Sequence, residues 1–114
     1  MTVHIAGELD NWPTQNEMVS ILVVSGLRVH RGQYSIRILD CTHFVFQQYG
    51  GDLGVPRLEA DAETLRDMIR DARLVSEALA KGGIRHRFEL YDDSDQLCGY
   101  FHNAWPMPVI AGSS

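Results

Sequence analysis

Residues 61–81 read DAETLRDMIRDARLVSEALAK, and this stretch decides the fold. Leu65, Met68, Ile69, Ala72, Val75 and Leu79 recur at three- and four-residue spacing, which puts them on one face of an α-helix. Arg66, Asp67, Arg70, Arg73 and Glu77 take the other side. Asp61 is placed to cap the helix N-terminus, and Glu63 suits the positive end of its dipole. Gly82-Gly83 offers the left-handed backbone that ends helices. A long helix with a single apolar stripe needs a layer to cover, and the flanking sequence supplies strands for a sheet.

On the C-terminal side, Ile84, His86, Phe88 and Leu90 alternate with Arg85, Arg87, Glu89 and Tyr91. Asp92-Asp93-Ser94-Asp95 turns the chain and 96–103 returns, so 84–103 reads as a hairpin. On the N-terminal side, Tyr34–Tyr49 shows the same alternation but is too long for one strand. Asp40-Cys41-Thr42 breaks it into a hairpin that pairs Ile38 with Phe44 and Ile36 with Phe46. Residues 19–25 (VSILVVS) form a β-branched run that reads as a buried strand, with Gly26 as a bulge before LRVH. Residues 50–60 (GGDLGVPRLEA) read as a loop, 1–18 as a polar N-terminal arm and 107–114 as a flexible tail.

The expected fold is therefore α+β. One domain over 1–114 carries an antiparallel sheet of about five strands in the order β-β-β-α-β-β. Strands occupy 19–49, the helix 61–81, and the hairpin 84–103. The helix would cover Ile36, Ile38, Phe44, Phe46, Phe88 and Leu90.

Composition narrows the function classes. With 114 residues, 45% of them hydrophobic, the chain can bury an ordinary core. Fifteen acids against ten bases give a net charge of −5, which disfavours a polynucleotide partner. Neither a signal peptide nor an apolar run of membrane-spanning length is visible, and two cysteines make no disulfide framework. A cytoplasmic protein is expected, with no membrane and no nucleic-acid role. The bases nevertheless collect in 26–49 and 81–91, and such a local basic sheet suits a small anionic ligand or an acidic protein.

No residue pattern carries a recognisable catalytic signature. Cys41-x-His43 and Cys98-x3-His102 contain zinc-type ligands, but not at zinc-finger spacing, so no metal or other cofactor is expected. The glycines of 50–54 precede no helix directly and lack a following Gly-Lys-Ser/Thr, which leaves them an ordinary connection rather than a phosphate loop. Asp93 and Asp95 resemble the start of a calcium loop without its central Gly or terminal Glu. By parity His86 points into the core, where a satisfied structural histidine is the commoner finding.

The remaining signal is the sheet face that the helix leaves open. It should carry Arg37, His43, Arg85, Arg87, Tyr91, Tyr100 and His102, residue types enriched at interface centres. The reading is a non-catalytic binding module, acting through this face or as a homodimer. The alternative is a small-molecule binder or acid–base enzyme with a pocket between helix and sheet, using His43 or His86.

Overall fold

The computed structural model describes residues 2–49 and 54–105. The glycine-rich segment 50–53 and the tail 107–114 lie outside the described residues. Nine elements follow one another: β1 (Val3–Leu9), α1 (Gln15–Val24), β2 (Val29–Arg31), β3 (Ile36–Ile38), β4 (Phe44–Gln47), β5 (Arg57–Ala62), α2 (Leu65–Lys81), β6 (His86–Tyr91) and β7 (Leu97–Asn103). The strands form one antiparallel sheet in the order β2-β3-β4-β5-β1-β6-β7. The α+β class and the long helix on an antiparallel sheet thus stand, while the sheet has seven strands rather than about five.

Three segments account for that difference. The expected N-terminal arm holds β1, whose Val3, Ile5 and Leu9 face the core while His4, Ala6 and Glu8 face out. The end of the expected loop and the first two residues of the expected helix form β5, which likewise alternates, with Ala60 and Ala62 buried. Of residues 19–25, expected as a strand, 19–24 belong instead to α1 and Ser25 is its C-cap. Thr14 caps this helix with a capping box: its hydroxyl accepts from the Glu17 N–H at 3.2 Å, and Glu17 Oε1 accepts from the Thr14 N–H at 3.0 Å. Two of the orphan donors at the helix start are satisfied before the β-branched run begins, and Met18 and Leu22, four residues apart, bury one face.

Helix α2 runs as the periodicity predicts but starts later. Its N-cap is Thr64, whose extended backbone and hydroxyl serve the Asp67 N–H at 3.1 Å, whereas Asp61 lies within β5. At the other end Gly83 takes the left-handed conformation, φ 75°. The Ile36↔Phe46 register of the β3–β4 hairpin matches the sequence expectation.

Both helices pack on one side of the sheet. They touch where Ile21 of α1 lies over Gly82, so closely that a Cβ there would sit 2.6 Å from its methyl group. The core between the layers contains Phe44, Phe46, Phe88, Ile36, Ile38, Leu79 and Met68, all essentially free of solvent. Strand β1 occupies the middle of the sheet. It pairs with β6 from Leu9↔His86 to His4↔Tyr91, but with β5 only at Val3↔Ala62 and His4↔Asp61. Further along, the Leu58 side chain fills the space over Gly7, where an added Cβ would come within 2.5 Å of it. No helix among the described residues is long and apolar enough to cross a membrane.

Candidate binding face

The strand register lays out the face opposite the helices. On β6, His86, Phe88 and Leu90 point to the core, so Arg87, Glu89 and Tyr91 point outward. Their neighbours across the ladder are Glu8 and His102 beside Arg87, Ala6 and Tyr100 beside Glu89, and His4 beside Tyr91. Of the residues expected here, Arg87, Tyr91, Tyr100 and His102 converge on this β1-β6-β7 half. Arg85 lies just ahead of β6, exposed, donating to Asp10 at 3.0 Å and to the Ala104 carbonyl at 3.1 Å.

Arg37 and His43 belong to the other half of the sheet. Arg37 stands outward on β3 between His30 and Val45, and His43 directly precedes β4. The imidazole of His43 lies 3.5 Å from Glu59 of β5. The expected set therefore divides into two groups, one on each side of the β5–β1 junction.

Arg87 organises the first group. Its guanidinium donates to Glu8 at 3.0 Å and lies 5.4 Å from the centre of the Trp105 ring, an ion pair and a cation–π contact on opposite partners. Tyr100 and His102, two residues apart on β7, stack with ring centres 5.2 Å apart, as do His4 and Tyr91 at 5.9 Å. Arg87 Nε and the Tyr100 hydroxyl are buried without a hydrogen-bond partner among the described residues. Acids interleave with the bases throughout: Glu8, Glu89 and Asp10 share the surface with Arg87, Arg85 and His102. The face is mixed in charge, with aromatic rings between the charges.

Strand β7 borders this face and forms one edge of the sheet. Its sequence, Leu97-Cys98-Gly99-Tyr100-Phe101-His102-Asn103, has neither a Lys, Arg, Asp or Glu nor a proline. The opposite edge, β2, is three residues long and carries an exposed arginine, Arg31. Short, charged edges resist further strand pairing, and β7 lacks both protections.

The interior offers different chemistry. His86 is fully buried. Its Nδ1 lies 3.0 Å from the Ile84 carbonyl, which can only accept, so Nδ1 carries the proton and Nε2 accepts from the Ser76 hydroxyl at 2.7 Å. Burial lowers the pKa of this imidazole and holds it neutral. Both ring nitrogens are engaged, so neither is free to exchange a proton with a ligand.

The thiol–imidazole pairs noted in the sequence do not meet. Cys41 and His43 adjoin β4, Cys98 and His102 lie on β7, and three strands separate them, roughly 19 Å at the usual interstrand spacing. Cys41 is half-buried against α2, and its thiol is pushed up to about 12, first by burial and then by the Asp71 and Asp40 charges.

Comparison with known proteins returns no matching family model, no matching curated protein and no matching solved structure. Sequence parity located the outward residues of β6 and β7. It missed His4, Glu8 and Glu59, because β1 and β5 read as arm and loop, Asp61, which reads as a helix cap, and Trp105, which follows the last strand.

Proposed function

We propose that this protein is a non-catalytic binding module that self-associates through β7 and the β1-β6-β7 face beside it. The observation that supports the reading is the unprotected β7 edge: seven residues without Lys, Arg, Asp, Glu or Pro that, among the described residues, pair with another strand on one side only and can add a strand on the other. A two-fold interface requires a surface complementary to itself, and the alternation of Glu8, Arg87 and Glu89 meets that requirement in charge. The buried, doubly bonded His86 weighs against an acid–base role in the interior.

Sedimentation equilibrium of the full chain at micromolar concentration tests this reading. The wild type should be a dimer. Leu97→Lys, at an exposed edge position, and His102→Glu, on the exposed face, should each shift it to monomer with unchanged circular dichroism. A wild type that stays monomeric, or a dimer indifferent to both substitutions, overturns it.

A further inference from the structure

The second group on the open face has its own chemistry, independent of self-association. His43, Glu59 and Asp61 each bring one ligand-type atom into a cluster whose members all lie within 4.8 Å of one another. His43 Nε2 and Glu59 Oε1 are 3.5 Å apart. A tetrahedral zinc ion with nitrogen and oxygen ligands at 2.0–2.2 Å sets those ligands roughly 3.4 Å apart. The pair already stands at one edge of such a tetrahedron.

The surroundings hold the cluster in place. Gln47 Nε2 donates to Glu59 Oε2 at 3.0 Å, which turns the other oxygen toward His43 as an outer-shell partner does. The Asp61 N–H donates to the His43 carbonyl at 3.2 Å, so the two main chains are tied side by side. Across the β1–β5 ladder His4 stands directly opposite Asp61, exposed, its ring lying against Tyr91. Among the described residues neither Glu59 nor Asp61 forms an ion pair with an arginine or lysine. Two carboxylates therefore share one small area, with His43 and Gln47 against Glu59 and His4 opposite Asp61.

We propose that His43, Glu59 and Asp61 bind a divalent transition-metal ion of the zinc class, with His4 turning about its χ1 to supply a fourth ligand. One or two imidazoles with two carboxylates suit zinc better than calcium or magnesium, which prefer all-oxygen sites. The ion would join the β4 flank, β5 and β1, bridging the sheet where β1 and β5 share only two residue pairs. Metal binding would thus raise the stability of the whole sheet, because ligands from both halves come together only in the folded chain.

The test is calorimetric titration of chelator-treated full-length protein with zinc chloride, followed by thermal melts with and without the metal. The expected result is one equivalent bound in the micromolar range and a higher Tm. His43→Ala and Asp61→Asn should each abolish binding, and Gln47→Ala should weaken it roughly ten-fold. His102→Ala should leave it unchanged, and so should Leu97→Lys, which separates this site from self-association. Circular dichroism checks each fold, and the near-isosteric Asp61→Asn keeps the test valid should His43→Ala unfold. Cobalt(II) substitution should give a tetrahedral visible spectrum without a thiolate charge-transfer band. Absence of micromolar binding, binding that survives both ligand substitutions, or a thiolate band overturns the proposal.

Discussion

The Ser76 hydroxyl of α2 donates to Nε2 of His86 on β6 at 2.7 Å, a side-chain hydrogen bond that joins the helix to the sheet inside the core. Because Nδ1 is bonded to the Ile84 carbonyl, the arrangement uses a single tautomer of the neutral ring. This fixes how stability should respond to acid.

Burial lowers the folded-state pKa of His86 from its ordinary value near 6.5. As pH falls below that value the unfolded chain takes up a proton that the folded one refuses, so stability is lost toward acid. The contribution is fully present above pH 6.5 and declines below it, by at most about 1.4 kcal/mol per pH unit for one proton. Denaturant unfolding at pH 8, 6.5 and 5 should show this decline in the wild type and a shallower one in His86→Gln. Equal slopes in the two proteins would refute the assignment.

Asp71 is a charged residue on the buried side of α2, with no solvent exposure. One carboxylate oxygen accepts from the Thr42 N–H at 2.9 Å, and the other accepts from Arg70 Nε and Nη2 at 3.2 and 3.1 Å. It fixes the β3–β4 turn against the helix. Asp71→Ala leaves the Thr42 N–H without its partner and should cost about 2–3 kcal/mol in urea unfolding. A loss within the scatter of surface substitutions would show that water replaces the carboxylate.

Gly7 and Leu58 form a coupled pair. A methyl group at position 7 would overlap the Leu58 side chain, so Gly7→Ala should destabilise by roughly 1–2 kcal/mol through overpacking. Shortening the neighbour makes room: the double variant Gly7→Ala, Leu58→Ala should be more stable than the sum of the single effects implies. Strict additivity in chemical denaturation would mean that the two positions do not touch.

The legible parts of the fold were those with a clean period. Helix α2 buries residues at three- and four-residue spacing, β3 and β6 bury every second residue, and no breaker interrupts them. Strand β1 hid because Gly7 occupies an inward position that Leu58 fills, which removes one apolar residue from an already short alternation. In β5 the alternation is carried by Ala60 and Ala62, too small to stand out beside Arg57, Glu59 and Asp61. The run at 19–25 has strand-like composition. The Thr14-x-x-Glu17 capping box just ahead of it was the legible helix signal, and hydrogen bonding at the helix start outweighs β-branched propensity. For the binding face, parity could assign outward residues within each strand. Which of them meet, as His4 meets Asp61, follows from strand order, and that is a property of the whole chain.

Strand β1 is made before every other strand, yet it lies in the centre of the finished sheet. Its partners are drawn from residues 57–62 and 86–91, so a growing chain carries this segment unpaired through most of its synthesis. The meander from β2 to β5 and the two helices can form from nearby residues, but they gain their central strand only by closing long loops. Folding governed by such distant contacts is slow compared with that of helical proteins of the same length. The exposed interval falls on a strand with free edges on both sides, and at that stage the nascent chain is most open to pairing with the wrong neighbour.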